Sequence, residues 1–75
     1  SLEILQVPQA QYAVFPVPPG NGNMILLNEN VRRMWKYIFS EWFPQNRRYH
    51  AADEKIDFEY YQDGKTSIYV PITLS

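Results

Sequence analysis

The run Phe58-Glu59-Tyr60-Tyr61 has the residue types needed to receive an organic cation. Tyr61 follows the carboxylate by two positions, Tyr69 stands in the next apolar run, and Tyr12 near the start of the chain is a further candidate companion. Aromatic faces attract a cation by roughly 0.5–2 kcal/mol each as water is excluded, and Glu59 supplies the countercharge. A ligand suited to such a group is bulky and apolar with one positive centre. The plainer alternative is an exposed strand charge among ordinary cross-strand tyrosine pairs.

Catalysis finds less support. A carboxylate raised in pKa by apolar surroundings could act as a general base with a tyrosine hydroxyl assisting, so a small hydrolase using Glu59 stands as a third reading. No Ser–His–Asp set can be assembled around the single His50, and there is no cysteine nucleophile. The chain is therefore not expected to be an enzyme. His50 has no Cys, His or carboxylate at ligand spacing, so no metal is implied. No cofactor is implied either: the loop Pro18-Pro-Gly-Asn-Gly-Asn23 lacks the Gly-Lys-Ser/Thr ending of a phosphate cradle.

The element that must support these residues is a helix over Val31–Phe43. From Val31, the apolar residues Met34, Trp35, Ile38, Phe39, Trp42 and Phe43 recur at helical spacing, while Arg32, Arg33, Lys36, Ser40 and Glu41 take the opposite side. Asn28 or Asn30 is expected to cap its start and Pro44 to end it. The preceding Met24–Leu27 reads equally as an extended approach or an early helical turn. Strands are expected over Leu2–Val7 and Tyr12–Val17, with Pro16 placing that end at an edge, a bulge or the strand's exit. Residues 45–55 read as polar connection, with Arg47 and Arg48 as solvated charges.

Asp63-Gly64 between two alternating runs marks a closing β-hairpin over Ile56–Ile72. A two-residue loop would pair Glu59 with Ile68 and put a charge into the apolar set. A three-residue loop, Gln62 to Gly64, instead collects Phe58, Tyr60, Ile68, Val70 and Ile72 on the core face. The second register is preferred, and it sends Glu59, Tyr61 and Tyr69 together to the face away from the helix. The fold class is α+β: a strand-helix-strand-strand module, an antiparallel sheet with one long helix on one face.

Seventy-five residues bound this to one module. Seven Lys/Arg against eight Asp/Glu leave a net charge of -1, which provides no basic field for nucleic acid. No apolar run is long enough to cross a bilayer. Six Tyr, four Phe and two Trp are many for so short a chain, and such residues favour contact surfaces as well as cores.

Val-Pro-Gln-Ala-Gln-Tyr-Ala-Val-Phe at 7–15, Met-Trp-Lys-Tyr-Ile-Phe-Ser-Glu-Trp-Phe-Pro at 34–44, Asp-Phe-Glu-Tyr-Tyr at 57–61 and Ile-Tyr-Val-Pro-Ile at 68–72 resemble, in order, the second half of the GyrI-like effector-binding domain. That module occurs alone in gyrase-inhibitor-like proteins and behind DNA-binding domains in AraC- and MerR-type bacterial transcription regulators. The resemblance implies two strand-helix-strand-strand modules about a pseudo-two-fold axis with the ligand in the cleft between them. Residues 1–75 would then be the C-terminal half. The family's acidic residue corresponds to Glu59, and its aromatic companions to Trp42, Tyr61 and Tyr69. The implied role is a cytoplasmic sensor of a hydrophobic or cationic compound, completed by an upstream half-domain or a homodimer, with no direct nucleic-acid or membrane contact. The hairpin loop is shorter than the family's usual acidic, proline-containing connection. A competing reading is a protein–protein interaction or dimerisation module whose aromatic face buries a partner.

Overall fold

A computed structural model describes residues 3–7 and 10–74. Strands β1 (Glu3–Val7) and β2 (Ala10–Val17) lead into helix α1 (Met24–Tyr37), a π-helical turn (Ile38–Trp42) and a short α2 (Phe43–Gln45). Strands β3 (Tyr49–Ala51), β4 (Phe58–Gln62) and β5 (Lys65–Leu74) complete the chain. The architecture is α+β, an antiparallel sheet with the helical segment on one face. Along it the order is β1-β2-β5, and β3 and β4 lie one after the other along the outer edge of β5. The residues expected to begin the first strand lie outside those described.

β5 is the spine of the sheet. Phe15 pairs with Ile68, Ala13 with Val70 and Gln11 with Ile72, so alternate residues of both strands point at the helix. Ala13, Phe15, Val17, Val31, Ile38, Ile68, Val70 and Ile72 form the buried core, with Leu27, Met34, Trp35, Trp42 and Phe43 packed at its rim. Pro71 falls where β4 has ended and β3 begins, so its missing N–H deprives no strand of a bond. Pro16 sits past the end of the described β1, with β5 as its one partner strand among the described residues.

The helix starts earlier than expected. Asn23, rather than Asn28 or Asn30, is the cap, its Oδ1 accepting the Leu26 N–H at 3.0 Å. Asn21 (φ 53°) and Gly22 (φ 87°) make the turn before it. Gly20 is obligatory for a different reason: a Cβ there would stand 2.5 Å from the Asn23 carbonyl oxygen and 2.8 Å from Leu27 Cβ. Pro44 does not end the helix either, since α2 runs to Gln45 with the proline in its first turn, where its missing N–H costs least. The wide turn just ahead, in which the Phe43 N–H reaches back to the Ile38 carbonyl, opens the ladder where the proline ring would crowd it. Residues 49–51, expected to be connection, form β3 by pairing with Leu74, Thr73 and Ile72.

The closing hairpin takes the other register. Asp63 (φ 52°) and Gly64 (φ 73°) both adopt positive φ, the signature of a two-residue type I′ turn, and Gln62 pairs with Lys65. Glu59 therefore pairs with Ile68 and faces the helix, while Phe58 and Tyr60 turn to the opposite face with Tyr69. The preferred three-residue loop is overturned. The twist of an Asp-Gly type I′ turn matches the strands it joins, and the charge it sends to the helix face lies on an edge strand that is exposed along its length.

Candidate functional site

On the helix face, β4 and α1 meet at Glu59. The Trp35 Nε1–H donates to Oε2 of Glu59 at 2.7 Å, and the Tyr61 hydroxyl donates to Oε1 at 2.7 Å. Tyr61 is on the same face because it lies two residues along the strand. Trp35 reaches the carboxylate from the flank of the helix, whose Val31 and Ile38 are turned into the core.

Trp35 also begins a column of rings. Phe39, one turn on, stacks with it at 6.2 Å and 8°, and Phe43 continues from Phe39 at 5.5 Å and 33°. Phe39 remains 47% exposed, which leaves one aromatic surface beside an anion open to solvent. Beyond Tyr61 a hollow of about 240 Å³ continues between Leu27 and the hairpin residues Lys65 and Thr66.

The electrostatics follow from the two donors. The Tyr61 hydrogen bond, and then the Trp35 one, hold the Glu59 carboxyl below its ordinary value, against a smaller opposing effect of desolvation. Tyr61 is raised in turn, first by its bond to Glu59 and then by desolvation and the nearby negative charge. At neutral pH the site is an anion, with an indole and a neutral phenol as its fixed donors.

Of the five residues expected at the site, Glu59 and Tyr61 are brought together. Tyr69 and Tyr12 are not; they lie on the far face of the sheet. There Phe58 and Tyr69 stack at 4.9 Å and 8°, and Tyr12 and Tyr60 contact Tyr69 edge-on at 6.3 and 5.9 Å. Trp42 packs its ring against Phe15 at 5.1 Å and Phe43 at 4.9 Å, at the rim of the core. The expectation that acid and phenols would share the outer face fails with the register that produced it. Trp35 and Phe39, expected only as part of the helix's core-facing stripe, stand beside Glu59. The Asp-Gly turn was the signal that could have found them, because its parity puts Glu59 opposite the helix. A hollow of about 330 Å³ lies at the other end of the sheet among Gln11, Ala52, Lys55 and Thr73, and Glu59 is not part of it.

Fold and site together define a small α+β module that holds an anion and a wall of rings open on the helix side of its sheet. The model of one family, integron-associated effector binding protein (Cass2), matches residues 1–72, and the chain belongs to that family. It is thus an effector-binding module, in agreement at that level with the GyrI-like resemblance. No curated protein matches the chain. No solved structure matches it either. Among the described residues no helix is long and apolar enough to cross a membrane.

Proposed function

We propose that this module takes a hydrophobic compound with one positive centre at Glu59, and that it serves as the sensing part of a cytoplasmic bacterial transcription regulator of AraC or MerR type. The regulator context rests on the resemblance of four sequence motifs to the second half of GyrI-like domains. The ligand class rests on one observation: an ionised carboxylate, gripped by Trp35 and Tyr61 and flanked by the half-exposed ring of Phe39. Ring faces and an anion on one surface favour a cation that carries apolar substituents.

Binding suits this carboxylate better than catalysis. A general base working near neutral pH needs a pKa close to that pH, and Glu59 is displaced in the other direction. The ligand-contacting residues are Glu59, Trp35, Phe39 and Tyr61. Trp42 supports them from behind through Phe43. Tyr12 and Tyr69, on the other face of the sheet, belong to a separate aromatic cluster.

Titration with tetraphenylphosphonium, followed by tryptophan fluorescence, tests this reading. Saturable quenching is expected, weakened at least about tenfold in Glu59→Gln, which keeps the shape and removes the charge. A folded chain whose fluorescence does not respond to the cation, or a Glu59→Gln variant that binds it equally well, overturns the assignment.

A further inference from the structure

On the far face of the sheet one small residue stands among large ones. Across the hairpin Phe58 pairs with Tyr69, Tyr60 with Ser67 and Gln62 with Lys65. Residues opposite one another share a face, so these side chains all stand on the side away from the helix. Ser67 is short and half-buried, and the space above it is left open. A hollow of about 320 Å³ lies there, lined by Tyr60, Gln62, Asp63, Lys65, Ser67 and Tyr69.

The two ends of this hollow differ in chemistry. At one end Tyr60 and Tyr69 meet at 5.9 Å and 78°, so their rings make a corner, and Phe58, stacked on Tyr69 at 4.9 Å, backs it. Tyr60 remains 45% exposed. At the other end, by the turn, stand the amide of Gln62, the carboxylate of Asp63 and the ammonium group of Lys65. The Tyr60 hydroxyl donates to Gln62 Oε1 at 2.9 Å, which ties ring and amide together and leaves the Nε2 hydrogens of Gln62 for another acceptor. Among the described residues neither Asp63 nor Lys65 is in a salt bridge.

We propose that this hollow binds one sugar unit, a pyranose with equatorial hydroxyls. The C–H groups of one ring face would lie against Tyr60 and Tyr69, and the hydroxyls would reach Gln62, Asp63, Lys65 and Ser67.

The class follows from what the rim offers. Lys65 and the Gln62 amide donate, Asp63 accepts and Ser67 does either. Each hydroxyl of a sugar also does either, so neighbouring hydroxyls on one ring satisfy such a rim from both directions. The charges of Asp63 and Lys65 cancel, so no net charge is called for: a simple cation beside Tyr60 meets Lys65, and a simple anion meets Asp63. C–H groups on carbons that bear oxygen carry partial positive charge, and the face of a phenol ring is the negative part of its quadrupole. Equatorial hydroxyls lie around the edge of a pyranose and leave its faces to C–H, which matches an aromatic corner bordered by polar groups. Glu59 is on the opposite face of the sheet, so this site and the cation site are independent of one another.

An NMR titration with methyl β-D-glucopyranoside tests the proposal, read at the Tyr60 and Tyr69 ring protons and the hairpin amides. Saturable shifts with a Kd of about 1–10 mM are expected. Tyr60→Ala removes one wall and Ser67→Phe fills the floor, and each should weaken binding about tenfold or more while amide signals distant from the hairpin keep their positions, the sign of an intact fold. Gln62→Ala keeps the aromatic corner and loses part of the rim, so a smaller loss of about three- to fivefold is expected. The absence of any saturable shift up to about 100 mM glucoside overturns the proposal, as does equal binding by Tyr60→Ala and Ser67→Phe. So does a titration in which phenylalanine shifts these resonances and the glucoside does not, which would make the hollow a site for an aromatic zwitterion. Tetraphenylphosphonium is read separately, by tryptophan fluorescence on the helix side, so failure of either reading leaves the other standing.

Discussion

At the scale of single residues the site is a carboxylate with two unequal donors. Tyr61 is the stronger influence on Glu59, so Tyr61→Phe is expected to raise the Glu59 pKa more than Trp35→Phe does, as read from the side-chain carboxyl resonance in an NMR pH titration. The sign of the stability effect follows from the same shifts. Because Glu59 is depressed in the folded state, the stabilisation from its ionised form is present above the ordinary carboxylate range and lost as pH falls through the lowered value. Tyr61 is raised, so its contribution holds below the ordinary phenol value and is lost as pH rises through the raised one. Urea midpoints measured across pH should therefore show an acid limb and an alkaline limb from this pair, and Glu59→Gln should flatten both. Its two bonds keep the carboxylate preorganised, so a bound cation need not order it first.

At the scale of elements, turns decide which side chains meet. The hairpin depends on Gly64 at φ 73°, and Gly64→Ala should cost about 1–2 kcal/mol in urea unfolding because a Cβ disfavours that conformation. Gly20→Ala meets backbone as well as Leu27, so a loss of about 1–3 kcal/mol is expected there, with the helix start displaced. Removing the cap with Asn23→Ala should cost about 1 kcal/mol. The existence and order of the main elements were legible from apolar spacing and from Asp-Gly, Pro and Asn. The hairpin register was not legible in the same way, because excluding a charge from the apolar face holds only where that face is covered along its whole width. β4 lies at the margin, where Glu59 can face the helix, bond to Trp35 and still touch water. The helical stripe is likewise not one contact surface, since Phe39 on its flank is half-exposed while Val31 and Ile38 are buried.

At the scale of the whole molecule, the core is thin. Ile38 and Ile68 are fully buried and link the helix to β5, so Ile38→Ala or Ile68→Ala should cost about 2–5 kcal/mol in urea unfolding. A domain of this size has a total of only roughly 4–11 kcal/mol to lose. The far side of the sheet carries Tyr12, Phe58, Tyr60 and Tyr69 in mutual contact. Both faces are thus aromatic for different reasons. One packs the helix and holds an anion at its margin; the other stacks rings on one another around Tyr69. The family match is to effector binding, and the margin beside the helix is where the Glu59 carboxylate lies.

By itself the sequence determined the α+β class, the helix and its polar side, the hairpin, and the pairing of Glu59 with Tyr61, since residues two apart on a strand always share a face. Tertiary structure alone decided which face that is and who meets them there. Parity along a strand is local, but its phase relative to the helix is set by the turn and by the room left at the sheet margin. An indole at position 35 and a carboxylate at position 59 are brought within one hydrogen bond only when both are settled.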